Sequence, residues 1–153
     1  MATTTATITL SSADLLSDNL SLSATMNLYQ NGTTATGLDE MRYHRLVVPT
    51  GTNFDLIQDS TALSEDASYV YIVNKNTDVT DYVKISINSE EIGRLYAGDW
   101  LFMPWDNDLT DEQSVSDQTG NDSTIEIQAF THEHIIEFAL FHNGETLQTA
   151  ADS

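Results

Sequence analysis

Thr131-His132-Glu133-His134 sets two imidazoles two residues apart. On a strand, residues at that spacing point the same way, so His132 and His134 could reach one ion. Glu137, three residues beyond His134, adds an oxygen donor. A second ligand pattern is Asp106-Asn107-Asp108-Leu109-Thr110-Asp111, with Asp117 eleven residues after Asp106. Carboxylates at first, third and twelfth places echo a calcium loop. Its sixth place is Asp111 rather than the Gly that the sharp turn needs, and its twelfth is Asp117 rather than the longer Glu. Residues 106–122 hold six acidic side chains and no basic one, which reads as a solvated acidic loop. Nucleophilic chemistry finds no foothold: there is no Gly-x-Ser-x-Gly elbow, no cysteine and no Gly-Lys-Ser/Thr phosphate loop. The expectation is a protein that binds rather than catalyses, with no catalytic residue, no cofactor and no functional metal.

His132, His134, Glu137 and Gly144 partly resemble the first motif of the cupins, a jelly-roll family with metal-binding His and Glu. The His-to-Glu spacing is one residue shorter than that family's pattern. The sequence after Gly144 also leaves no room for a second cupin motif with its further His. His132 and His134 are therefore expected to be surface histidines rather than ligands.

Charge narrows the partners. Asp and Glu number 24 against five basic residues, Arg42, Arg45, Lys75, Lys84 and Arg94, for a formal net charge of -19. Nucleic-acid binders gain affinity by releasing counterions through Lys and Arg. This chain has few to offer, and its field repels nucleic acid and anionic membranes. The amino terminus shows no cationic segment followed by an apolar one, and no apolar run approaches the ~20 residues of a membrane helix. Synthesis and retention in a cytoplasm, or exit without a cleaved signal, are expected. Without cysteine, folding is indifferent to redox compartment. The 153 residues amount to one domain, 1–153, with 145–153 a polar tail.

The elements that must position these groups are strands. Period-two alternation recurs in segments rich in Thr, Ile, Val and Tyr, separated by Asn, Asp, Gly and Ser. Strands are predicted at 3–10, 19–29, 41–48, 53–58, 68–74, 82–87, 91–96, 100–105, 123–130 and 134–141. In the second, Leu20, Leu22, Ala24, Met26 and Leu28 share one face, and the other is wet. In the fifth, Val70 and Ile72 face one way and Tyr69, Tyr71 and Val73 the other. Ser11–Asp18 could form one helical turn with Ser12 as N-cap. No helical stripe is sustained, so the fold class is all-β: a β-sandwich, jelly-roll-like, of nine or ten short strands. Trp100 and Phe102 share a strand face opposite Leu101 and Met103, which suggests core packing. Trp105, after Pro104 and beside the acidic loop, suits a subunit interface.

Tyr69-Val-Tyr-Ile-Val-Asn, Tyr82-Val-Lys-Ile-Ser-Ile and Ile92-Gly-Arg-Leu-Tyr-Ala-Gly-Asp-Trp-Leu-Phe-Met-Pro-Trp105 resemble small β-rich virion proteins of tailed bacteriophages, especially marine ones. The Thr-rich start and the strand Ile125-Glu-Ile-Gln-Ala-Phe fit the same style. The resemblance implies a non-enzymatic virion structural protein, with the capsid decoration (cement) proteins as the nearest class. It implies the major capsid protein as partner, a homotrimer, and a place on the capsid exterior after assembly in the host cytoplasm. A tail, neck or fibre-associated protein is the alternative within that style. A metal-binding or carbohydrate-binding module is the alternative outside it. Residues 1–10 form an uncharged terminal strand suited to strand exchange, so Thr3, Thr5, Thr7, Ile8, Leu10 and Trp105 are the expected interface residues.

Overall fold

Alternation in the sequence becomes ten strands in the computed structural model, which describes residues 4–13, 20–30, 37–38, 40–57, 67–105 and 124–142. The strands are β1 (Thr4–Ser12), β2 (Leu20–Leu28), β3 (Glu40–Val48), β4 (Asn53–Ile57), β5 (Ala67–Asn74), β6 (Tyr82–Ile87), β7 (Glu90–Tyr96), β8 (Trp100–Pro104), β9 (Ile125–Ala129) and β10 (His134–His142). No helix occurs among the described residues. Ser12, expected to cap a helical turn, instead ends β1 and pairs with Leu20; residues 14–19 lie outside the described residues.

The chain divides into two compact units, one containing Met1–Glu40 and the other Met41–His142. In the first, β1 and β2 form a two-stranded antiparallel sheet in unbroken register from Thr4↔Leu28 to Ser12↔Leu20. A bridge between Tyr29 and Gly37 follows, and the Leu38 amide donates to Leu28 O.

In the second unit the strands form two four-stranded sheets, β3-β10-β5-β8 and β4-β9-β6-β7. Along the chain the strands change sheet at every step except β6 to β7. Every pairing of known register in the two sheets is antiparallel. That order is the eight-stranded jelly roll, so the all-β sandwich is as the alternation predicts. Asn88 and Ser89, both at positive φ (50° and 67°), make the two-residue turn between β6 and β7. Positive φ at both central positions matches the right-handed twist of the flanking strands. Gly98, at φ 85°, serves the next corner, and its amide donates to Asn74 O.

The core lies between the inner faces. Val70 and Ile72 of β5 and Ile136, Phe138 and Leu140 of β10 meet Val83 and Ile85 of β6, Leu95 of β7, and Ile125, Ile127 and Ala129 of β9. Burying each of the larger side chains is worth about 1.5–3 kcal/mol. Leu101 and Met103 of β8 pack against this cluster. Trp100 and Phe102, on the same strand with opposite parity, lie on the outer face, and Trp100 is 53% exposed. The expectation that this pair packs in the core is thus reversed, because both faces of the strand are apolar and alternation cannot say which is inner.

Candidate functional site

The hairpin of β1 and β2 divides its residues by chemistry. One face carries Thr5, Thr7, Thr9 and Ser11 opposite Asn27, Thr25, Ser23 and Ser21. Cross-strand polar contacts join Thr5 Oγ1 to Asn27 Oδ1 (3.2 Å) and Thr7 to Thr25 (3.0 Å). The other face carries Ala6, Ile8 and Leu10 opposite Met26, Ala24 and Leu22. Ile8, Leu10, Leu22 and Met26 are 43%, 54%, 55% and 49% exposed. Neither strand contains a charged residue, in a chain that carries 24 acidic ones. Of the expected interface residues, Thr5 and Thr7 therefore lie on the hydroxyl face and Ile8 and Leu10 on the apolar one. Thr3 lies outside the described residues. Pairing of the first strand is met within the chain, by β2. Alternation in Leu20–Leu28 pointed to that strand, but the coverage usually implied by an apolar face does not follow here.

Trp105 is not on the surface. It is 5% exposed, belongs to the core cluster, and its amide donates to Ser68 O at 3.0 Å. It shares parity with Leu101 and Met103, which turns it inward. That corrects the expectation of an interface tryptophan. The outer face of sheet β3-β10-β5-β8 carries a row of other rings. Tyr69 stacks on Phe102 (centroids 5.5 Å, interplanar angle 5°), Phe102 meets Phe141 edge-on, and Tyr71 contacts Trp100. Beside the row, Glu137 accepts ion pairs from Arg45 Nη1 (3.3 Å) and Lys75 Nζ (4.0 Å). A hydrogen bond from Tyr43 to Glu137, with smaller contributions from burial and the carboxylate charge, raises the Tyr43 pKa.

The histidine pair converges, but on a carboxylate. His132 Nδ1 lies 3.0 Å and His134 Nε2 3.2 Å from the same oxygen, Asp81 Oδ2. His134 is fully buried, whereas the His132 side chain is 65% exposed. The surface expectation holds for His132 and fails for His134, which alternation turns inward at the start of β10. His134 Nδ1 lies 3.1 Å from Asn74 Nδ2 and 3.3 Å from Asn74 Oδ1, while Asn74 Nδ2 donates to Leu95 O and Asn74 Oδ1 accepts the Asn76 amide. His134 Nε2 is buried within ion-pair distance of Asp81 but outside hydrogen-bond geometry. Burial pushes the Asp81 pKa up, but hydrogen bonds from His132 and the Tyr82 amide and the nearness of His134 outweigh it, and the carboxyl sits below its ordinary value. Asp81 is itself an oxygen donor beside the two imidazoles, but among the described residues no group of three or more such side chains is spaced to hold a metal ion. The cluster joins the ends of β5 and β10, the start of β6, and β7. Glu137, the third expected ligand, faces the outer side with Arg45 and Lys75. The acidic segment 106–122 lies outside the described residues, as do Gly144 and 145–153.

Neither a known protein family nor a curated relative matches the chain. What the protein does must be read from these surfaces alone. Among the described residues no helix is long and apolar enough to cross a membrane.

Proposed function

We propose that the chain is a non-enzymatic structural protein of a tailed-bacteriophage virion, which decorates the capsid exterior and braces neighbouring capsomers as a homotrimer bound to the major capsid protein. The observation that carries this reading is that an acidic chain holds both a charge-free hairpin and a jelly roll. An uncovered apolar strand pair is an attachment feature, not a chemical one. Jelly rolls occur among viral capsid, lectin and cupin domains. The two histidines that suggested the cupin alternative meet Asp81 rather than Glu137, so the cupin-like set of His132, His134 and Glu137 is not assembled. A net charge of -19 favours a docking surface with compensating Lys and Arg, and disfavours nucleic acid. Sedimentation with purified expanded capsids tests the proposal. Saturable co-sedimentation that weakens as salt rises is expected. Protein that stays in the supernatant at low salt refutes it.

The outer ring row favours a second reading, a carbohydrate-binding module, since exposed Trp100 and half-buried Tyr71 and Phe102 offer faces and edges to sugar rings beside the polar groups of Tyr43, Arg45 and Glu137. Retardation in polysaccharide-containing gels, abolished by Trp100→Ala, would support it over capsid decoration.

A further inference from the structure

We infer that the apolar face of the β1–β2 hairpin is a homotypic contact, closing on the same face of a second copy of this chain. The inference rests on the self-association in the proposal above but not on its three-fold symmetry: a face that meets itself pairs two copies, so it would join two subunits or two trimers, through a strand face and not an open strand edge. A two-stranded hairpin is marginal in water unless something packs against it. Here Ile8, Leu10, Leu22 and Met26 stand about half exposed on one side of a sheet that has two strands among the described residues. Together they leave on the order of 400 Å² of apolar surface, the size of the largest patch on an ordinary monomer.

Charge selects the occupant. Copies that each carry -19 repel one another wherever acidic side chains meet. Neither strand carries an acidic or a basic side chain, so copies can meet there without that penalty. A basic partner would gain nothing from the hairpin and would be drawn to the acidic remainder of the chain instead. The face is also self-complementary. Leu10 lies opposite Leu22, Ile8 opposite Ala24 and Ala6 opposite Met26, so a two-fold rotation lays apolar side chains on apolar side chains. Two ribbons stacked in this way reproduce the roughly 10 Å spacing of packed sheets, with the hydroxyl faces turned to water. Each copy would bury about half of the ~800 Å² per partner typical of a standard interface, which places the contact among weak, concentration-dependent associations.

Sedimentation velocity of the full chain alone, from 1 to 100 μM, tests the contact without any capsid. Wild type should shift from monomer to oligomer across that range. Leu10→Thr with Leu22→Thr keeps strand propensity and should raise the dissociation constant at least tenfold. Leu10→Asp with Leu22→Asp should abolish association. Thr9→Asp with Ser23→Asp puts the same charges at the neighbouring register pair on the hydroxyl face and should leave more association than the Leu pair does. Far-UV circular dichroism and emission from buried Trp105 report whether each variant is folded. Wild type that remains monomeric at 100 μM overturns the inference, whatever else binds the hairpin. So does a folded Leu-to-Thr variant that associates like wild type, or an Asp pair that acts equally on both faces. Failure of capsid binding in a protein that still self-associates would instead count against the decoration reading.

Discussion

Replacing Asp81 with Ala removes the carboxylate that His132 and His134 both approach and the acceptor of the Tyr82 amide. The cost follows from what each group does next. His134 is fully buried, so its Nε2 is left without a polar neighbour and without water, at about 1–3 kcal/mol. The Tyr82 amide lies in a half-buried position and loses about 1 kcal/mol. His132 is mostly exposed and turns to solvent at little cost. The expected destabilisation is thus about 2–4 kcal/mol, a large share of the ~5–15 kcal/mol that holds a domain folded. Equilibrium urea unfolding followed by Trp105 emission measures it, with an unchanged denaturant slope showing that the same surface unfolds. Acidity adds a second signature. The carboxyl pKa lies below 3.8 in the folded chain and near 3.8 when unfolded, so its contribution is complete above the unfolded value and is lost as pH falls through the folded one. The gap between wild type and Asp81→Ala should therefore narrow below about pH 4. A variant within 0.5 kcal/mol of wild type at pH 7, or a gap as wide at pH 3 as at pH 7, would refute this account of the cluster.

At the β6–β7 turn Ser89 holds φ 67°, so Ser89→Gly should stabilise by about 1 kcal/mol, read as a small rise in midpoint temperature. Glu137→Ala removes the hydrogen bond that raises the Tyr43 pKa, and ultraviolet titration should show one tyrosine moving down toward 10.0. The same substitution breaks two ion pairs in which Arg45 and Lys75 are 60% and 48% exposed and Glu137 only 14%, and stability should fall by about 1 kcal/mol. In the core, Ile72→Ala should cost about 2–5 kcal/mol in urea unfolding.

Local pattern carried most of the fold. Val70 and Ile72, Val83 and Ile85, and Ile125 and Ile127 alternate as written, because each strand has one buried face with β-branched side chains. Asn88-Ser89 marked its turn through turn chemistry alone. Where both parities are apolar the pattern falls silent, as in Trp100–Trp105: parity ties Trp105 to Leu101 and Met103 but cannot say which trio faces inward. The histidines show a different limit. Spacing put His132 and His134 on one side, but their partner Asp81 lies 51 residues before His132, and only the jelly-roll order brings it there. For the hairpin, a wet face implied a dry one; that both faces of β1 and β2 would be exposed depends on the sheet having two strands, which no local pattern encodes.

Strand order also governs how the chain reaches this state during synthesis. β10 lies between β3 and β5, and β9 between β4 and β6, so the two latest strands fill the interior of their sheets rather than extend an edge. A nascent chain that has emerged only as far as β8 has both sheets split, with the hydrogen-bonding edges of β3, β4, β5 and β6 that face the missing strands unoccupied. Such edges recruit other chains. Closure awaits pairings between strands far apart in the sequence, which makes folding slow. The acidity of the chain then has a use before any partner arrives: it keeps many half-built copies from pairing edge to edge while each waits for its own β9 and β10.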